Sequence, residues 1–365
     1  MPRIDPIRLK KLFTDLVDIY SPSGKEGEAI DYLHRYLEGA GFTVERQEMD
    51  EERANLIVLP PSGEAEVVLL GHVDTVPAPD FEHYGADEHE DEIRGLGTAD
   101  MKSGCAAAIE ALQAFQASGN ELPVALALVV GEEETGDGTA ALLRDYQFDW
   151  AVIGEPTDLR PCFSHYSYIE INLGTTGQRM HASQAHKAKN AIRIMLSLLA
   201  DLINLIEESH PEVIYNLRDL SSASAGFAVS DSCECWLDLH LPPELSTSTV
   251  IKDIEKMIRP RYLHEEHPDV WYSFQTIHAG YTLDEQTWLP LLIRNAFEDH
   301  SLPWQPESFP SHSDANLLWA SGVKPILFGP GSLELAHTSD EAISFGQVAT
   351  AATIYLDLLL ALSRR

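Results

Sequence analysis

The stretch Val124-Ala-Leu-Ala-Leu-Val-Val-Gly131-Glu132-Glu133-Glu134-Thr-Gly136 decides how the rest of the chain is read. Seven apolar residues run without interruption, and three carboxylates follow a single glycine. An unbroken apolar run fits a strand buried on both faces, as in a parallel sheet; a strand with one wet face would alternate. Adjacent carboxylates at the mouth of such a strand repel one another and lose solvation. A bound cation or a shared proton would offset that cost. Taken alone, the same run also reads as a solvated acidic loop, so its surroundings must arbitrate.

Three further apolar runs end in the same manner. Val67-Val-Leu-Leu70 leads into Gly71-His72-Val-Asp74-Thr-Val-Pro77, and Trp150-Ala-Val-Ile153 into Gly154-Glu155-Pro-Thr157. Pro325-Ile-Leu-Phe328 leads into Gly329-Pro-Gly331 and then His337-Thr-Ser-Asp-Glu341. Apolar strands alternating with helical patterns predict an open α/β sheet, whose ligand sites lie outside the carboxyl ends of the strands. Arg94-Gly-Leu-Gly97-Thr-Ala-Asp100-Met-Lys-Ser-Gly104 supplies one more acid from a glycine-bounded turn, at the start of an Ala-rich helix running to about Ser118. The turn lacks the third glycine of a dinucleotide fingerprint, which excludes that reading.

The metal-capable residues gathered in this way are His72, Asp100, Glu134, Glu155 and His337. Two imidazoles with three carboxylates suit Zn²⁺, with Mn²⁺ or Co²⁺ as alternatives. So many protein ligands exceed one open tetrahedral site and suit two ions about 3.5–4 Å apart with one carboxylate bridging. Asp74, two residues past His72, is placed to accept the other imidazole proton and fix the tautomer.

A chain of 365 residues exceeds one ordinary core,. Asp5-Pro6 opens a first helix with a stripe of Leu9, Leu12, Phe13, Leu16 and Val17; a second carries Ala29, Tyr32, Leu33, Tyr36 and Leu37,. Past Ser164 the pattern changes. Ile169, Ile171 and Leu173 alternate with Glu170 and Asn172, and Cys233, Cys235, Leu237, Leu239 and Leu241 alternate with Glu234, Asp238 and His240. Period-two alternation marks an antiparallel sheet with one wet face. Helices over 191–206 and 248–258 and a last strand near 271–277 predict a split βαβ order. The expected architecture is an α/β domain of residues 1–165 and 281–365, with a mixed, mostly parallel sheet flanked by helices. Into it is inserted a ferredoxin-like α+β domain, 166–280.

Lys and Arg total 25 against 58 Asp and Glu, a net charge of −33. That balance opposes binding to nucleic acid or to an anionic membrane surface. Cys105, Cys162, Cys233 and Cys235 do not make a disulfide scaffold in a chain this long, and no Cys/His quartet completes a structural zinc site, so core thiols are expected,. The N-terminus has no charged-then-apolar signal pattern, and no apolar run is expected to approach the ~18 residues of a membrane span. A soluble cytoplasmic protein is the expectation.

The motifs around His72, Asp100, Glu133-Glu134-Thr-Gly136, Glu155 and His337, in this order and over nearly the whole chain, resemble the dinuclear zinc peptidase and deacylase family. That family includes acetylornithine deacetylase, succinyl-diaminopimelate desuccinylase, the glutamate carboxypeptidases and aminoacylase. The resemblance implies a zinc-exopeptidase-like fold with His72, Glu134, Glu155 and His337 binding two ions and Asp100 bridging them. It implies Glu133 as general base, Asp74 as the residue orienting His72, and a cis peptide at Asp100-Met101. The inserted domain then resembles the family's lid, which usually makes a homodimer. His181, in Gly177-Gln-Arg-Met-His181-Ala-Ser183, matches the lid histidine that stabilises the oxyanion in a partner's site. The single Glu of Gly154-Glu155-Pro resembles the carboxypeptidase and deacylase branch.

The chain also departs from the pattern. The lid Asn and Arg that grip a substrate carboxylate are replaced by Gly226-Phe-Ala-Val-Ser230 and Asp238-Leu-His240. His240 lacks the fork geometry of Arg, leaving Arg179, Arg218 and Lys187 as candidate cations. The expected activity is hydrolysis of a short peptide or N-acyl amino acid. The alternatives are an aminopeptidase, with the acidic stretch Glu82 to Glu92 receiving a free amine, and a metal-binding interaction protein without catalysis.

Overall fold

The computed structural model describes residues 2–78, 84–222, 226–263 and 269–365. The chain divides into two compact units. Unit 1 comprises Met1–Ser164, Leu283–Phe309 and Ser313–Arg365; unit 2 comprises His165–Thr282 and Pro310–His312.

In unit 1, Asp5 caps helix α1 (Pro6–Asp18) by accepting from the N–H groups of Ile7 and Arg8, and the predicted stripe is its buried face. Helix α2 (Gly27–Gly39) follows, then strands β1 (Glu45–Glu48), β2 (Ala54–Val58), β3 (Val67–His72), β4 (Asp87–His89) and β5 (Glu92–Arg94). Helix α3 (Lys102–Gln116) precedes β6 (Ala125–Val129), α4 (Asp137–Asp145), β7 (Trp150–Ile153) and β8 (Cys162–His165), at whose last residue the chain enters unit 2.

Unit 2 contains β9 (Ser167–Thr176), α5 (Ala191–Ser209), β10 (Ile214–Ser222), β11 (Ser232–Leu241), α6 (Thr247–Tyr262), β12 (Val270–His278) and β13 (Tyr281–Thr282). The return to unit 1 supplies α7 (Trp288–Asp299), β14 (Glu307–Phe309), α8 (Asp314–Ala320), β15 (Lys324–Leu327), β16 (Ala342–Ser344) and α9 (Phe345–Leu362).

The main sheet of unit 1 runs β1-β2-β6-β3-β7-β15-β8. Its central strands β6, β3, β7 and β15 are parallel, while β1, β2 and β8 are antiparallel to their neighbours. Every residue of β3, β6 and β7 is buried, which is why these strands read as unbroken apolar runs. Their register brings the carboxyl ends to one edge: His72 pairs with Val129, and Ile153 pairs with both Leu70 and Leu327. Helix α3 covers those ends at very short range. A Cβ on Gly104 would lie 2.1 Å from the carbonyl oxygen of Gly154, so no larger residue fits there.

Helix α9 corrects the expectation that no run approaches membrane-spanning length. It is the one described helix long and apolar enough by length and composition to cross a bilayer. It serves as a core helix: Val348, Ala351, Ala352, Tyr355 and Leu359 are buried, and it packs on α3.

In unit 2 the antiparallel order is β10-β11-β9-β12, the ferredoxin-like arrangement. Ile169, Ile171, Leu173, Cys233, Cys235, Leu237 and Leu239 form one core with the inward faces of α5 and α6. All four cysteines are free and buried.

Candidate metal centre

His72 is the last residue of β3, and burial forces its ring to find polar partners. Nδ1 faces the backbone carbonyl of Asp74 at 3.0 Å, and the Asp74 carboxylate lies slightly farther off at 3.6 Å. A proton on Nδ1 leaves the Nε2 lone pair free for a cation, and Nε2 points at Asp100 Oδ1, 3.2 Å away. The fully buried Asp74 does more than face His72. It accepts from Ser23 Oγ at 2.7 Å and from the backbone N–H groups of Glu132 and Glu133 at 3.2 and 3.0 Å. It therefore pins the acidic loop beyond β6.

That pinning sets which glutamates turn inward. Gly131 takes a left-handed φ of 75° and closes a turn onto Gly136, so the next two residues face the site. Glu133 Oε1 lies 2.9 Å from His337 Nε2, and Glu132 Oε2 lies 3.9 Å from His72 Nε2. Glu134 is exposed and stands outside every ligand group among the described residues. Among the described residues it is Glu133, not the expected Glu134, that stands beside Asp100 and His337, and Glu132 stands beside His72. Three identical side chains in succession carry no chemical mark of register. The signals are Gly131, two residues past β6, and the acceptor Asp74.

The other expected ligands converge. Glu155, just past β7, is buried, and its Oε1 has no hydrogen-bond partner among the described residues. His337 adopts a left-handed φ of 61°, a strained state for a residue with a side chain,. Its Nε2 lies 3.4 Å from Asp100 Oδ2, so the two oxygens of Asp100 face two different imidazoles. The Asp100–Met101 peptide is cis. Among the described residues, ligand atoms within 4.8 Å of one another form three groups: His72/Asp100/Glu155, Asp100/Glu133/His337 and His72/Glu132/Glu133.

Charge at the site is badly unbalanced. Burial pushes the Glu132, Glu133 and Glu155 carboxyls up, with His72 or His337 opposing and the neighbouring carboxylates reinforcing. Burial alone would lower His337, yet its hydrogen bonds to Asp100 and Glu133 win and push it up to about 10. Asp100 would likewise rise on burial, but His337 and His72 hold it below the usual carboxylate range. The two imidazoles substitute for missing positive charge among four acids. An orphaned buried carboxylate oxygen, imidazole nitrogens aimed inward and a carboxylate split between them form a donor set that fits a pair of divalent cations.

His181 belongs to unit 2 and is exposed; its Nδ1 accepts from the N–H of Ser183 at 3.2 Å and faces Ser183 Oγ at 2.9 Å. Arg218 is engaged by Glu170 and by the ring of Trp236. Arg179 is half-exposed, with the Asp231 carboxylate 3.9 Å away. Of the acidic stretch proposed to receive an amine, Glu82 lies outside the described residues. Glu88 and Glu92 pair with Lys10 and Arg94.

The model of peptidase family M20/M25/M40 matches residues 68–361. Acetylornithine deacetylase of Vibrio atlanticus is 27% identical over 361 residues, with 91% of each chain covered. Among solved structures, a tripeptidase of Staphylococcus aureus superposes with a TM-score of 0.82 at 19% identity, covering 99% of this chain and 100% of that one. Human carnosine dipeptidase 1 superposes with a TM-score of 0.75 at 12% identity, covering 99% and 97%.

Proposed function

The chain belongs to peptidase family M20/M25/M40, and we propose that it is a metal-dependent hydrolase cleaving an amide bond of a short peptide or an N-acyl amino acid. Two divalent ions, zinc foremost, would be held by His72, Asp100, Glu133, Glu155 and His337. The observation that carries this reading is the Asp100 carboxylate, with Oδ1 directed to His72 and Oδ2 to His337. Bound there, the ions supply Lewis acidity, polarising a carbonyl and acidifying a water toward neutrality.

The remaining chemistry belongs to the chain. Glu132, partly buried, raised by desolvation and standing beside His72 rather than His337, is the proposed general base. Its carboxylate takes a proton from the attacking water and passes it to the leaving amine. Asp74 keeps the Glu132–Glu133 loop and the His72 tautomer in place. His181 is the proposed donor to the developing oxyanion, contributed by a second copy of the chain in a homodimer formed through unit 2. Leu196 on α5 and Leu220 on the edge strand β10 are exposed apolar residues that suit such an interface. Among the candidate cations, Arg179 suits a substrate carboxylate better than Arg218, which already has partners. A soluble, cytoplasmic setting completes the proposal.

The deacylase name of the Vibrio relative favours an N-acyl amino acid, and the peptidase names favour di- and tripeptides. The test is metal analysis joined to a panel of N-acyl amino acids, dipeptides and tripeptides. Activity should vanish on chelation and return with Zn²⁺, Co²⁺ or Mn²⁺. A loaded protein that hydrolyses no member supports metal binding without catalysis instead.

A further inference from the structure

Glu341 closes the segment that His337 opens and lies outside all three ligand groups, yet it is only 3% exposed. Its carboxylate accepts from three backbone N–H groups of one turn: Gly97 at 2.9 Å on Oε2, and Ala99 at 2.8 Å and Asp100 at 3.1 Å on Oε1. Its own carbonyl accepts from the N–H of Gly95 at 3.2 Å. The neighbouring residue Ala342 pairs with Arg94 in the antiparallel β5–β16 ladder. The ladder therefore continues past its last pair as a side-chain clamp on the Gly97–Asp100 turn. Three converging donors need an acceptor-only group with two oxygens, which a carboxylate provides and an amide does not.

The clamp joins two segments far apart in the chain, and each carries a proposed ligand. Asp100 lies inside the clamped turn, and His337 lies four residues before Glu341 in the turn segment that leads into β16. We infer that Glu341 is a positioning residue: by locking the Gly97–Asp100 turn to the His337 segment it sets the spacing of the two metal positions. The Asp100/Glu133/His337 position depends on it more than the His72/Asp100/Glu155 position, because two of three ligands at the first ride on the clamped segments and one of three at the second. Glu341 touches no reacting atom. The inference rests on the two-ion reading above.

The test is calorimetric titration of the metal-free protein with Zn²⁺, with bound zinc counted by elemental analysis, for wild type and Glu341→Gln. The amide keeps the size of the carboxylate but turns N–H groups against one of the backbone donors. Wild type should show two binding steps. In E341Q one step should weaken by about 10–100-fold and the other by no more than about threefold, the range for residues that orient metal ligands. Two unaltered steps in E341Q overturn this inference alone. Equal weakening of both, with a matching fall in the melting temperature of the metal-free protein, reduces Glu341 to a fold residue and also overturns it. Should E341Q fail to fold, Glu341→Asp is titrated under the same criteria, and failure of both variants to fold overturns the positioning role. A wild-type protein that takes up a single ion overturns the two-ion reading and this inference with it.

Discussion

Glu132, Glu133 and Glu134 are chemically identical, and the fold makes three different residues of them. The N–H groups of the first two are held by Asp74, their carboxylates face His72 and His337, and the third faces solvent. Substituting each in turn separates the roles. Glu132→Gln should retain both ions and lose roughly 10²–10⁴-fold in kcat, the usual share of a general acid–base group. Glu133→Gln should lose zinc at the His337 position, seen as reduced stoichiometry. Glu134→Gln should leave both within about twofold, as expected of a surface substitution. Full activity in E132Q, or metal loss in E134Q, would restore the register read from the motif. The kinds of side chain were legible in the sequence: His72, the glutamate run and Glu155 each follow an apolar run, while Asp100 stood out only as the acid of a glycine-bounded turn. The glutamate register was not, because it is set by hydrogen bonds from a loop some sixty residues earlier in the chain.

At the scale of elements, strands of unit 2 and its segment 310–312 carry a group of imidazoles, His165 buried and His240, His278 and His312 partly so. His278 Nδ1 and His312 Nε2 are 2.7 Å apart, one donating and the other accepting, which requires an unprotonated lone pair between them. Tyr168 packs against both His312 and His240, and His165 stacks on Tyr281. Burial pushes His312 down to about 3, helped by the neighbouring imidazoles, and pushes His165 down to about 4. The unfolded chain binds protons on these groups below about pH 6.5, while the folded chain does not until it is far more acidic. Their contribution is therefore complete above pH 6.5 and is lost as the pH falls from there toward 4. Denaturant unfolding at stepped pH should show stability declining over that window. His312→Phe should flatten the slope by about 1.4 kcal/mol per pH unit, one proton's worth; an unchanged slope would mean that His312 does not govern it. Strand β10 shows what patterning misses: nearly all its residues are exposed, so no buried face imposes alternation, and the strand exists because β11 supplies hydrogen-bond partners.

At the scale of the whole molecule, a net charge of −33 with four acids around one point, Asp100 and Glu155 buried among them, favours any state that binds cations. Ions held at about 1,000 times their Kd add roughly 4 kcal/mol to the folded state. Chelation should therefore lower the melting temperature together with activity, and zinc should restore both. The proposed dimer makes a sharper prediction. Inactive E132Q and His181→Ala homodimers, mixed and allowed to exchange, should recover about a quarter of wild-type activity, because half the dimers become mixed and each mixed dimer holds one intact site. No recovery after demonstrated exchange would place His181 in the service of its own chain.

The order of residues along the chain was enough to specify the fold class, the alternation between a dry parallel sheet and a half-wet antiparallel one, and the kinds of side chain at the site. Those are consequences of local periodicity and of where each apolar run stops. It took the packed fold to show which glutamates enter, that Asp100 divides its oxygens between His72 and His337, and that Glu341 ties those segments together. Such choices depend on contacts between residues up to 244 positions apart, and no spacing along the chain encodes the hydrogen bonds that make them.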